Sequence, residues 1–144
     1  MLQTIERVTI LRRIDLFAET PGYILASVAN ALEEMQAEAQ ETIIHEGDLE
    51  TTMYIVVEGG VSVHSGGQVI VNLGPGETVG ELAALDPEPR SASVTASEPS
   101  LLFRLDEIAL DEIMATRPEV AKGIIKALCR RIRKQGKFSV NTNQ

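Results

Sequence analysis

The stretch GPGETVGELAALDPEPRSA, residues 74–92, breaks the rhythm of the chain. Short β-branched runs lie on both sides of it, while glycine and proline dominate within. Its centre, Gly80 to Leu85, has the length of one helical turn. A helix N-terminus presents free N–H groups and the positive end of a dipole. Arg90 follows on a short return, and its guanidinium offers a planar fork of donors suited to phosphate oxygens. Glu81 can accept hydrogen bonds from sugar hydroxyls, and Gly80 lets the backbone approach a ligand closely. Taken together these groups suit a sugar phosphate, with amides and arginine on the phosphate and a carboxylate on the ribose. Taken singly they say little. Arg90 alone reads as a surface arginine paired with Glu88 or Asp86, and Glu81 alone as a carboxylate at a helix N-terminus.

Outward from this stretch, residues 40–105 have strand character. The runs are Thr42-Ile43-Ile44, Met53 to Val57, Val61-Ser62-Val63, Val69-Ile70-Val71, Ser93-Val94-Thr95 and Leu101-Leu102-Phe103. Turn signals separate them at Glu46-Gly47-Asp48, Gly59-Gly60, Ser65-Gly66-Gly67 and Gly74-Pro75-Gly76. Many short strands with glycine-rich turns point to a barrel or jelly roll. Ser65-Gly66-Gly67 between two alternating runs predicts a tight hairpin.

Both flanks read helical. In residues 1–38, Leu2, Ile5, Val8, Ile10 and Leu11 recur at helical spacing. Phe17 closes a short turn before Pro21. Ile24, Leu25, Val28, Leu32 and Met35 form a second stripe, with Thr20 as the expected N-cap. In residues 106–135, Asp106 is the expected N-cap of a helix over 107–116, and Pro118 restarts a second. There Val120, Ile124, Leu128 and Ile132 stand four apart as one apolar stripe. The expected organisation is one domain over 1–138 with a disordered tail at 139–144.

Composition bounds the function. A chain of 144 residues, 44% hydrophobic and 24% charged, has the material for one core. Aromatics are 3%, so that core is aliphatic. The net charge of -8 argues against direct nucleic-acid binding, which asks for a basic face, and repels anions at long range. Eight of the 13 basic residues fall between Arg117 and Lys137. That cluster reads first as a solvated helix face with cations towards the helix C-terminus, and second as a basic surface for nucleic acid or anionic lipid. The single cysteine, Cys129, fits a reducing compartment. No apolar run has the length of a membrane span and the N-terminus lacks a signal-peptide core, so a cytoplasmic location is expected. His45 and His64 lie in separate segments with no cysteine beside them, which predicts no metal site. No catalytic constellation and no cofactor is expected.

The residues from Val79 resemble the phosphate-binding cassette of the cyclic nucleotide-binding domain family. Its signature is Phe-Gly-Glu, small or apolar residues, a short spacer, then Pro-Arg-[Ala/Ser/Thr]-Ala. Here it reads Val79-Gly80-Glu81-Leu82-Ala83-Ala84-Leu85, then Pro89-Arg90-Ser91-Ala92. The resemblance extends to Ile44-His45-Glu46-Gly47-Asp48, to Met53 through Gly59, to Val61-Ser62-Val63, and to Leu73-Gly74-Pro75-Gly76-Glu77. It covers about residues 12–135. Val79 departs from the usual phenylalanine, and no aromatic is expected within the last helix, about 118–135, to stack on a base; Phe138, the only late aromatic, is expected beyond its end.

The resemblance implies a mainly β fold. It consists of an eight-stranded β-roll of the jelly-roll or double-stranded β-helix kind, with N-terminal helices before it and two C-terminal helices after it. The last helix acts as a lid. It implies that Arg90 pairs with a cyclic phosphate and that Glu81, helped by Gly80, holds the ribose 2′-hydroxyl. Amides near Leu82, Ala83 and Ser91 complete the phosphate cage. The Ser91 hydroxyl is placed for an exocyclic oxygen or a guanine amino group, and Arg131 for the purine. The function it implies is a non-catalytic regulatory module for cAMP, ahead of cGMP, acting on an effector domain or partner protein. A homodimer is a further possibility. The alternative is a degenerate domain kept for protein–protein contact or dimerisation.

Overall fold

The computed structural model describes the backbone of residues 2–142 and the side chains of residues 2–136. The chain forms two compact units. One runs from Asn30 to Glu112. The other joins Leu2–Ala29 to the segment beginning at Ile113.

The first unit is built from ten strands. They are β1 Glu33–Ala37, β2 Thr42–Ile44, β3 Leu49–Glu50, β4 Thr52–Glu58, β5 Val61–Ser65, β6 Gln68–Leu73, β7 Thr78–Val79, β8 Glu88–Pro89, β9 Ser93–Ala96 and β10 Ser100–Asp106. Two four-stranded antiparallel sheets have the orders β1-β10-β4-β7 and β2-β9-β5-β6, and β3 pairs with β8 as a separate ribbon. The mainly β class and the roll follow the sequence reading; the strand count is ten where eight were expected. Three of the ten, β3, β7 and β8, are only two residues long, too short to register as hydrophobic periodicity.

The core between the sheets is aliphatic. Ala37, Ile44, Val56, Val61, Val94, Ala96 and Leu102 bury together with the ring of Tyr54, and Met35, Val63, Leu73 and Val79 pack against them. Val79 thus fills an inward position from β7, opposite Tyr54 in β4. β4 is buried continuously from Thr52 to Val56, which explains why it reads as an unbroken apolar run rather than an alternating one. The hairpin at Gly66-Gly67 forms as expected, with φ of 60° and 80°, the sign that a two-residue turn between twisted strands requires.

One boundary differs from the sequence reading. Leu32 and Met35 were expected on a helical stripe, but the helix ends at Ala31 and β1 begins at Glu33. Met35 pairs with Leu102 across an antiparallel ladder running from Glu33↔Arg104 to Ala37↔Ser100. Glu-Glu-Met-Gln-Ala has good intrinsic helix propensity. Long-range pairing with β10 overrides it.

The second unit contains α1 Thr4–Arg12, a short 3-10 helix Asp15–Phe17, α2 Gly22–Ala31 and α4 Pro118–Thr142; α3 Glu107–Thr116 spans the division between units. Asp106 caps α3 as expected, its Oδ1 accepting from the Ala109 amide at 2.8 Å. Thr20 does not cap α2. Its hydroxyl has no hydrogen-bond partner among the described residues and lies where a Cβ on Gly123 would collide with it. The close approach of α4 to Thr20 takes precedence over the cap.

In α4, Val120, Gly123, Ile124 and Ala127 are buried, while Ile132 is 67% exposed. The expected stripe of residues four apart is corrected by the helical period. Steps of four advance 400°, so the row drifts by about 40° per step and Ile132 rotates out. The helix also continues past residue 135, to Thr142, so Phe138, expected beyond its end, belongs to it. Asn143 and Gln144, the end of the expected tail, lie outside the described residues. No helix among the described residues is long and apolar enough to cross a membrane.

Candidate anion-binding site

Arg90 is fixed first by its backbone. Its amide donates to the Asp48 carbonyl at 2.9 Å and its carbonyl accepts from the Gly47 amide at 2.8 Å. Both bonds extend the β3–β8 ribbon, in which Leu49 faces Pro89 and Glu50 faces Glu88. Pro89 lacks an N–H, which suits an edge ribbon. The ribbon turns the Arg90 side chain inward, where it is 8% exposed.

The guanidinium is enclosed on several sides. Nη2 donates to the Thr52 carbonyl and lies 3.6 Å from Glu50 Oε2. Nη1, Cζ and Nη2 occupy the space that a side chain on residue 80 would need. Gly80 has φ +73°, so glycine is required there twice over: for the left-handed backbone and for the absence of a Cβ. Arg90 Nε is buried with no hydrogen-bond partner among the described residues. A buried guanidinium with an unclaimed N–H is costly unless an acceptor arrives.

Residues 80–86 form linked turns, and the bond from Asp86 to Leu82 closes one turn of helical type, as expected there. Ala83 N–H donates to the Gly80 carbonyl at 3.0 Å, and the Leu85 and Asp86 amides both donate to the Leu82 carbonyl, at 3.1 and 2.7 Å. Ala84 is fully buried and anchors the segment, while Leu82 points outward. The Ala83 amide is therefore engaged within the turn. Glu81 is oriented by Thr78, whose hydroxyl donates to Glu81 Oε2 at 2.7 Å.

A cleft of about 210 Å³ is lined by Gly80, Leu82, Ala83, Asp86, Pro89, Arg90 and Ser91, with Glu88 at its edge. It brings together all the expected site residues except two. Glu81 stands beside it, held by Thr78. Arg131 belongs to the other unit, where its Nη2 donates to Asp15 Oδ2 at 3.0 Å. Arg130 binds Asp15 and Glu19 alongside it. The Arg131 guanidinium, with Arg130 beside it, holds the Asp15 carboxyl below the usual carboxylate range.

Three participants escaped the sequence reading. The nearest carboxylate to Arg90 is Glu50, not Glu88 or Asp86, and the carbonyl it binds is that of Thr52. Neither is visible locally, because they stand 40 and 38 residues away in the chain. Thr78 was legible: Thr78-Val79-Gly80-Glu81 has the Thr-x-x-Glu spacing at which a hydroxyl and a carboxylate meet. The histidines are engaged otherwise. His64 Nε2 lies 2.8 Å from Thr95 Oγ1, and His45 Nδ1 lies 4.0 Å from Asp48.

The fold and site define a β-roll domain with a buried arginine beside an oriented carboxylate. The family model described as cyclic nucleotide-binding domain matches residues 34–117, more than half of the chain, which therefore belongs to the cyclic nucleotide-binding domain family. Among its relatives is the Pycsar effector protein XpPycTIR of Xanthomonas perforans, 36% identical over 69% of this chain and 33% of that protein. Another is the cAMP-dependent protein kinase regulatory subunit of Yarrowia lipolytica, 34% identical over 69% of this chain and 26% of that protein. The chain thus spans about a third or less of these relatives. Among solved structures, the N-terminal domain of a transcriptional regulator from Streptomyces coelicolor A3(2) is 33% identical with a TM-score of 0.85, covering 90% of this chain and 94% of that one. The regulatory domain of Toxoplasma gondii PKA with cAMP is 33% identical with a TM-score of 0.72, over 77% of this chain and 44% of that one.

Proposed function

We propose that the chain is a non-catalytic regulatory module that binds a cyclic nucleotide, cAMP in preference to cGMP, and relays occupancy through α4 to an effector domain or partner protein. The observation that carries this reading is the Arg90 guanidinium: 8% exposed, packed on Gly80, and with its Nε unclaimed. Arg90 takes the cyclic phosphate, assisted by the Leu82 and Ser91 amides. The Ala83 amide joins by sharing its bond to Gly80. Glu81, held by Thr78, accepts from the ribose 2′-hydroxyl. Arg131, bonded to Asp15 in this structure, is the residue proposed for the purine. The preference for cAMP is supported by the names of relatives, which include a cAMP-dependent kinase subunit and a regulatory domain with cAMP.

Calorimetric titration with cAMP and then cGMP tests the reading. Arg90→Ala is expected to weaken binding by roughly 2–5 kcal/mol, the range for truncating one member of a buried charge pair. Undiminished affinity in that variant would remove Arg90 from the phosphate. Glu81→Ala is expected to weaken binding less, and to have no effect on a 2′-deoxy ligand. Absence of heat with both nucleotides favours a second reading, an interaction module that pairs through α4. The exposure of Ile125 and Ile132 on that helix is the observation behind it.

A further inference from the structure

The counter-ion of Arg90 in this structure comes from the protein. Glu50 Oε2 is 3.6 Å from Arg90 Nη2, beyond hydrogen-bond length. It is buried and receives no hydrogen bond among the described residues. The position of Arg90 does not depend on this carboxylate. Two backbone bonds to Gly47 and Asp48, the bond to the Thr52 carbonyl and the packing on Gly80 already determine it. What Glu50 supplies is charge. It balances a buried cation, and the same charge reaches Tyr54, whose hydroxyl is pushed up first by burial and then by Glu50.

We propose that Glu50 is a resident counter-ion that competes with the phosphate of the ligand for Arg90 and so sets the affinity of the site. The inference rests on reading Arg90 as the phosphate partner. A phosphodiester brings one negative charge to a guanidinium that already faces a carboxylate. Two anions on opposite sides of one guanidinium repel across about 7 Å in a partly buried setting, which corresponds on the order of tenfold in Kd. The carboxylate thereby stabilises the empty state and weakens the filled one.

The test measures the Kd for cAMP and cGMP with the whole chain as wild type, Glu50→Gln, Glu50→Asp and Glu98→Gln. The last removes an exposed carboxylate from the same unit. Glu50→Gln is expected to tighten binding about tenfold, Glu50→Asp less, and Glu98→Gln by under twofold. The ligand-free melting temperature of Glu50→Gln falls, while the rise on adding ligand grows. Unchanged or weaker binding in Glu50→Gln overturns the proposal. So does a melting temperature lowered equally with and without ligand, the mark of a merely structural role. If the wild type binds neither nucleotide, the cyclic-nucleotide reading falls, and Glu50 is judged separately with inorganic phosphate at the Arg90 Nε–H NMR signal. A shift at lower phosphate concentration in Glu50→Gln than in wild type supports the competition; identical titrations overturn it.

Discussion

The two units of this molecule carry opposite charge. Between Asn30 and Glu112 stand 17 aspartates and glutamates against two arginines, Arg90 and Arg104. The helical unit has four acids and 11 lysines and arginines. The β-unit is therefore at -15 and the helical unit at +7, which together give the chain its -8. Yet the candidate anion site lies in the acidic unit. None of its described carboxylates is fully buried, so water and salt screen them within about 8–10 Å. Arg90 is shielded from that screening by burial. Arg104 is more exposed and pairs loosely with Glu33 at 4.0 Å. In the basic unit, Arg130 and Arg131 are tied to Asp15 and Glu19. The contrast teaches that desolvation and geometry mark out the candidate site, and net charge does not.

The comparison can be broken most severely on the helical side. If that unit is held by close packing rather than charge, Gly123→Val should be its most damaging substitution. The first added carbon already meets Thr20 Cα and N at 3.2 Å. A loss of about 3 kcal/mol is expected for such overpacking, read by urea denaturation. A loss below about 1 kcal/mol would show that the contact relaxes freely.

Salt sharpens the comparison on the acidic side. An anion approaching a unit at -15 meets a repulsive field, so raising ionic strength should speed association of the cyclic nucleotide, by up to about threefold in a stopped-flow measurement. A rate that falls with salt would mean that the cations of the helical unit govern capture.

The smallest effect is expected at Asp15. Its bonds to Arg130 and Arg131 are solvent-exposed, so Asp15→Asn should lower stability by less than about 1 kcal/mol. Because the folded carboxyl is held below its usual range, the contribution is complete above that range and is lost as pH falls through the folded value. Wild type and variant should therefore differ at neutral pH and converge in acid, as followed by thermal melts across pH.

How much of this was legible in advance depended on the range of the signal. The hairpin at Gly66-Gly67, the Asp106 cap and the continuous burial of β4 rest on residues within a few positions of one another, and each has a local sequence mark. Gly80 and Arg90 were also legible, through the pattern of a cassette whose two halves lie ten residues apart. Physical periodicity alone gave neither the β3–β8 ribbon nor the change from α2 to β1. Two-residue strands have no period, and β1 exists because β10 offers it a ladder.

The sequence by itself therefore determined the turns, the aliphatic core, the split of charge along the chain and the residue types of the site. Tertiary structure alone decided that Arg90 faces Glu50 and Thr52, that Thr20 meets Gly123 instead of capping a helix, and that Arg131 is bound to Asp15, 116 residues away. Caps and turns are selected by bonds closed over three or four residues, which a short stretch of chain specifies. A buried charge is selected by whichever groups the folded backbone brings to it, and no local pattern records them.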